Sequence, residues 1–102
     1  MMIARIWRGV TTAAHADAYL EYLEATGLRD YRATPGNRGV QVLRRIDGER
    51  AEFVLVTFWE SWEAIRAFAG QDIAVAVYYP EDDAFLLGKE PTVTHYEVPV
   101  RE

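Results

Sequence analysis

The sequence predicts an α+β, ferredoxin-like βαββαβ fold with an antiparallel four-stranded sheet, and three observations predict it. Apolar residues alternate with a period of two in some segments and recur at helical spacing in others. In chain order these segments read as strand, helix, strand, hairpin, strand, helix, strand, a split βαβ arrangement. A chain of 102 residues has room for one domain, spanning 1–102, with a modest core.

Met2 to Val10 alternates as a first strand, with Ile3, Arg5 and Trp7 on one face and Met2, Ala4 and Ile6 on the other. Thr11 and Thr12 offer an N-cap for the helix that follows from Ala14. Its Ala16, Tyr19, Leu20 and Leu23 face inward, Asp17, Glu21 and Glu24 face outward, and Gly27 is the expected stop. Leu28 to Thr34 reads as irregular or a short helical turn, and Pro35-Gly36-Asn37 as a turn. The strand from Val40 ends at Asp47-Gly48, a hairpin signal that ties it to Ala51 to Trp59. That second run is apolar on both faces and so belongs in the middle of the sheet. Ser61 caps a short helix with Trp62, Ile65, Phe68 and Ala69 on one face, ended by Gly70. Ile73 to Tyr79 favours a strand by propensity, yet a fifth strand there would displace the last one, so it is expected to be helical or irregular. Ala84 to Leu87 is expected as a helical turn, and Thr92 to Val100 as the final strand.

Composition excludes several function classes. A net charge of -5 argues against a phosphate backbone as partner, because nucleic-acid binding needs clustered, uncompensated cations. Zero cysteines remove thiolate catalysis and sulfur-ligated metals, and suit a reducing cytoplasm. The apolar run Ile73 to Tyr79 falls far short of the roughly 20 residues a membrane helix needs, so no membrane partner is expected. Glycine-rich phosphate loops, a dinucleotide fingerprint and a nucleophile elbow at Ser61 are all missing. With 3 Trp, 6 Tyr and 4 Phe, the chain holds more aromatic area than one small core absorbs. Some of it should line a cavity or a subunit interface, and a homodimer is expected on that ground.

ARIWRGV at the start, VTFWESWEAIRAF in the middle and VTHYEV at the end resemble the antibiotic biosynthesis monooxygenase family. The resemblance implies a dimeric α+β barrel. It also implies a cofactor-independent monooxygenase, an enzyme acting on a flat aromatic or conjugated small molecule that, once deprotonated, itself reduces O2. Other relatives degrade heme with an Asn, a Trp and a His. By position these fall on Trp7, Phe68 and Tyr78, so the resemblance supports the fold and pocket more than it supports heme chemistry. Tyrosinate can ligate heme iron, which keeps heme as the alternative cofactor. A non-catalytic dimeric binding module of stress-response type is the third reading.

The candidate residues follow. His95, between Thr94 and Tyr96 on the last strand, is the expected base or hydrogen-bond anchor toward a phenol. Arg5 is the expected oxyanion partner, sharing its strand face with Trp7. Trp7, Phe68, Tyr78 and Tyr79 are the expected substrate-binding walls, with His95 and Trp7 facing one cavity. Thr57 adds a hydroxyl to the same aromatic stretch, Trp59 and Trp62 are expected in the core or an interface, and His15 on the surface. Glu81, Asp82 and Asp83 lack the spacing of a cation site and read as helix-capping and solubilising residues, so no metal is expected.

Overall fold

Strands β1 (Ile3–Thr12), β2 (Asn37–Asp47), β3 (Arg50–Trp59) and β4 (Thr94–Glu97) form one antiparallel sheet in the spatial order β2-β3-β1-β4, in a computed structural model that describes residues 1–102. This is the α+β, ferredoxin-like arrangement. The long strands β1 and β3 pair over their whole length at the centre, from Ile3 opposite Trp59 to Thr12 opposite Arg50. Period-two alternation in both strands sends Ile3, Arg5, Trp7, Phe53, Leu55, Thr57 and Trp59 to one face, where all are buried. The β2–β3 hairpin turns at Asp47-Gly48, where Gly48 takes the positive φ of 61° that the turn requires.

Helices α1 (Ala16–Ala25), α2 (Gly27–Ala33) and α3 (Trp62–Ala69) cover that inner face. Tyr19, Leu23, Leu28, Tyr31 and Ile65 join the strand residues in a single core, and burying each such side chain contributes about 1.5–3 kcal/mol. Ser61 caps α3 as expected, its Oγ accepting from the Ala64 N–H at 3.1 Å. Gly36, with φ of 93°, turns the chain from α2 into β2, and a side chain there would strike the Ala64 Cβ.

Several boundaries differ from expectation. Gly27 does not stop the first helix; it opens α2, after Thr26 breaks the helical path and returns its Oγ1 to the Tyr22 carbonyl. The rings of Tyr31 and Tyr79 stand beside it, at ordinary contact distance from where a Cβ would be. Thr12 precedes a short 3-10 turn, Ala13–His15, without a side-chain cap, and Thr11 belongs to β1. The turn expected at Ala84 begins earlier, as α4 (Asp82–Phe85). The last strand is shorter than Thr92 to Val100 because Thr92 is drawn into a single bridge with Val75, and Pro99 has no N–H to extend the ladder. Beyond it the chain folds back, placing the Arg101 guanidinium 3.9 Å over the Phe58 ring.

Ile73 to Tyr79 is irregular, as the topological argument requires, and its backbone groups find other partners. Ala76 N–H donates to Pro91 O and Val93 N–H to Ala74 O, while the Ile73 and Val75 carbonyls accept from the Arg5 side chain. The segment thus lies over the inner face as a cover. On the outer face Ile6, Val54 and Val56 are partly exposed, and Leu43 and Tyr96 are 50% and 58% exposed. No helix is long and apolar enough to cross a membrane.

Candidate functional site

A small cavity of about 20 Å3, room for about one water, lies between the inner sheet face and the helices. Trp7 of β1 and Leu55 of β3 form its floor, Tyr19, Leu23 and Tyr31 its helical wall, and Val77, Tyr79 and Asp82 its cover. Val77 and Tyr79 also line a wider groove beside it, with Phe68 of α3 and Asp30 and Thr34 at the α2 end. These two side chains are therefore the partition between an enclosed inner cavity and an open outer one. Tyr79 is held there by its hydroxyl, which donates to Asp30 Oδ2 at 2.6 Å, and burial with that bond pushes its pKa up.

The floor depends on a glycine. Trp7 lies along its own strand over Gly9, so closely that a Cβ on residue 9 would stand 2.3 Å from the indole Cη2. The ring also meets Tyr78 edge-on at 6.2 Å. Trp7 is 7% exposed, and its Nε1–H has no hydrogen-bond acceptor. It approaches the Tyr78 phenol closely enough to offset part of the rise that burial imposes on the Tyr78 pKa, but no hydrogen bond closes between them. The Trp59 indole, by contrast, donates to Thr57 Oγ1 at 2.8 Å. A buried N–H without a partner costs about 1–3 kcal/mol, and the Tyr78 hydroxyl is the polar group this donor approaches.

Asp82 is the buried anion of the cavity wall, 4% exposed. Its Oδ1 accepts from the Tyr19 hydroxyl at 3.0 Å and its Oδ2 from the Tyr79 N–H at 2.6 Å. Tyr19 is itself fully buried, and burial with the Asp82 charge beside it drives its pKa far upward, so it remains a phenol. Burial likewise pushes Tyr31 up to about 12, the Arg5 charge working in the opposite direction.

Arg5 and His95 sit opposite each other in the β1–β4 register, on the same sheet face as Trp7. Arg5 is 3% exposed, and burial lowers its pKa, partly countered by Tyr31. Its Nη1 donates to Ile73 O at 2.5 Å and its Nη2 to Val75 O at 3.1 Å. Nη1 also stands 3.1 Å from His95 Nε2. A guanidinium has no acceptor, so Nε2 is the unprotonated nitrogen and His95 is neutral. Burial and the Arg5 charge both lower the His95 pKa, which agrees with that assignment.

The family model for antibiotic biosynthesis monooxygenases matches residues 2–77, a stretch that runs from β1 into the segment covering the cavity. The chain belongs to the antibiotic biosynthesis monooxygenase family. Among solved structures it is similar to the heme degrader MhuD of Mycobacterium tuberculosis with two hemes bound in its active site, at 28% identity, covering 98% of each chain, TM-score 0.59. It is also similar to SnoaB, a cofactor-independent oxygenase of Streptomyces nogalater, at 20% identity, covering 99% of this chain and 94% of that one, TM-score 0.58. A protein of unknown function from Nitrosomonas europaea shares the fold at 17% identity and TM-score 0.67, over 99% of this chain and 92% of that one. The likenesses to SnoaB and to the Nitrosomonas protein establish the fold. Among curated proteins none matches significantly.

Within this monooxygenase-family fold the candidate residues are distributed unevenly. Trp7 and Tyr79 line the inner cavity, and Phe68 lines the outer groove. The Tyr78 hydroxyl donates to Glu90 O at 2.5 Å, with Lys89 over its ring. His95 is half-buried between Arg5 and the Trp62 ring and is not part of the inner cavity wall. Arg5 directs its donors at the covering segment, while Trp59 is fully buried and Trp62 is 38% exposed. Sequence reasoning missed Tyr19, Tyr31 and Gly9, and took Asp82 for a capping residue. The W-x-G spacing of Trp7 and Gly9 was the available signal, since glycine inside a strand marks close approach by another group.

Proposed function

We propose that this chain is a small monooxygenase-like enzyme, working without a resident cofactor on a flat aromatic or conjugated molecule bound between the inner sheet face and helices α1 to α3. The small inner cavity walled by Trp7, Tyr19, Tyr31 and Tyr79, which only Val77 and Tyr79 divide from the wider groove lined by Phe68, is the observation that carries this reading. Membership in the monooxygenase family and the fold shared with SnoaB support it. Displacing Val77 and Tyr79 would join the inner cavity to the outer groove and give room for more than one ring. The substrate, deprotonated, supplies the electrons for O2. One oxygen atom enters the product and the other leaves as water, so the protein's task is to bind, deprotonate and exclude solvent. The exposed apolar outer sheet face supports a homodimer formed through the sheets, and the absence of cysteine suits a cytoplasmic setting.

The likeness to MhuD favours a second reading, heme binding. The donor set does not fit it. Tyr78 spends its hydroxyl on Glu90 O and has a raised pKa that opposes tyrosinate, and His95 Nε2 is occupied by Arg5. The buried cation near the site, Arg5, is 3% exposed and bonded to the Ile73 and Val75 carbonyls, which does not suit it to meet a propionate.

Incubating the protein with reduced polycyclic phenols under 18O2, without added flavin, nicotinamide or metal, tests the proposal. Incorporation of one labelled oxygen atom is expected. No labelled product across the panel, or turnover only after hemin is added with a sharp Soret shift at stoichiometric hemin, would overturn it.

A further inference from the structure

We propose that Asp82 is the group that takes up the hydroxyl proton of the bound molecule, an inference that rests on reading the cavity as an aromatic-substrate site. A carboxylate this deeply buried is costly unless it is paired, and no salt bridge reaches it; Lys89 pairs instead with Asp83. Two hydrogen bonds, from the Tyr19 hydroxyl and the Tyr79 N–H, offset part of that cost. An ionised carboxylate offers about four acceptor sites, so each Asp82 oxygen keeps one unfilled.

Asp82 belongs to the cavity wall, whose other members are mostly apolar or aromatic. A hydroxyl entering the cavity therefore finds a strong acceptor in Asp82, beside the Trp7 ring that forms the floor. A planar hydroxyaryl molecule, admitted when Val77 and Tyr79 are displaced, presents such a hydroxyl. In the proton transfer the substrate O–H bond breaks, its electron pair stays on the substrate oxygen, and the proton moves to an Asp82 oxygen. Tyr19, held as a phenol by burial, keeps its own proton and positions the carboxylate throughout. His95 is not placed for this work, because its unprotonated nitrogen faces Arg5 and its ring lies off the cavity wall.

The test is a titration under nitrogen at mildly acid pH with 2-hydroxyanthraquinone and its methyl ether, followed by quenching of tryptophan fluorescence. The wild-type protein is expected to prefer the hydroxyl compound by about tenfold or more, the effect of one hydrogen bond to a charged acceptor. In Asp82→Asn that preference is expected to fall to within about twofold of unity. Equal wild-type affinities, or an unchanged preference in folded Asp82→Asn, would overturn the assignment. Should Asp82→Asn not fold, Tyr19→Phe serves instead: with a competing donor removed, the preference is expected to rise, and an unchanged preference counts against Asp82. Because the titration involves no oxygen, its failure is distinct from failure of the oxygenase reading. An Asp82-dependent preference without labelled product sinks the oxygenase reading alone, and labelled product with an Asp82-independent preference sinks this one alone.

Discussion

Two buried charges lie beneath the same covering segment, and they are used differently. Arg5, near the β4 edge of the inner face, directs Nη1 and Nη2 at the carbonyls of Ile73 and Val75 and at His95. Asp82, at the other end of the cover, accepts two hydrogen bonds and lines the cavity. Both are less than 5% exposed, so burial alone does not separate a structural charge from a chemical one. The placing of their partners does: Arg5 bonds the cover and His95, off the inner cavity wall, whereas Asp82 is part of that wall. Arg5 works as a latch that ties Ile73 to Val75 onto the sheet, whereas Asp82 is the group proposed to meet a ligand.

Removing the latch should produce the largest effect. Arg5→Leu keeps the apolar stem but leaves two carbonyls under the cover without their donor, at a cost of about 3 kcal/mol. For a domain of this size that lowers Tm by about 15 °C. Hydrogen exchange should show the loss concentrated at residues 73–79, and a uniform loss with that segment still protected would contradict the latch.

Gly9→Ala attacks the other end of the comparison. The new methyl cannot coexist with the Trp7 ring in place, so the indole must move, at about 1–3 kcal/mol of overpacking cost. A red-shifted tryptophan emission and weakened ligand binding are expected, with the Arg5–His95 end unchanged in chemical shift. Unchanged emission and binding would mean that Trp7 does not form the cavity floor.

The smallest effect is a pH dependence. His95 has a folded-state pKa below the ordinary value near 6.5, so the unfolded chain binds its proton first as pH falls. Its contribution is complete above about pH 6.5 and is lost below it, down to the folded pKa. His95→Gln, which keeps an acceptor for Arg5 but does not titrate, should show a smaller fall in Tm between pH 7.5 and pH 5.5. Equal falls in the two proteins would mean that the imidazole is not held neutral against Arg5.

Much of the fold was legible in the residues because local rules and tertiary demands agree there. Alternation in Ile3–Trp7 and Phe53–Trp59, the Asp47-Gly48 hairpin and the Ser61 cap each have one physical solution, and the sheet order follows from them. Boundaries were lost where the chain left the local signal behind, as at Gly27, which opens α2 after the break at Thr26 and is not a helix stop. The site was only half legible. Trp7 and Tyr79 could be named from an aromatic-rich strand and an aromatic pair, but nothing local distinguishes Asp82 from Glu81 and Asp83. Burial of the one and exposure of the other two is decided by where α4 sits against Tyr19.

The sequence by itself determined the alternating strands, the amphipathic helices and the aromatic surplus, because these depend on side-chain period and composition alone. Only the tertiary structure decided which polar groups are spent and which are free. That Arg5 is bonded to the Ile73 and Val75 carbonyls, that His95 turns its free nitrogen to Arg5, and that Asp82 lines a cavity all depend on pairings between residues 63 or more positions apart, in the extreme 90. The physical reason is that hydrogen-bond satisfaction is settled among neighbours in space, and an irregular cover such as residues 73–79 finds its partners only once the sheet beneath it exists.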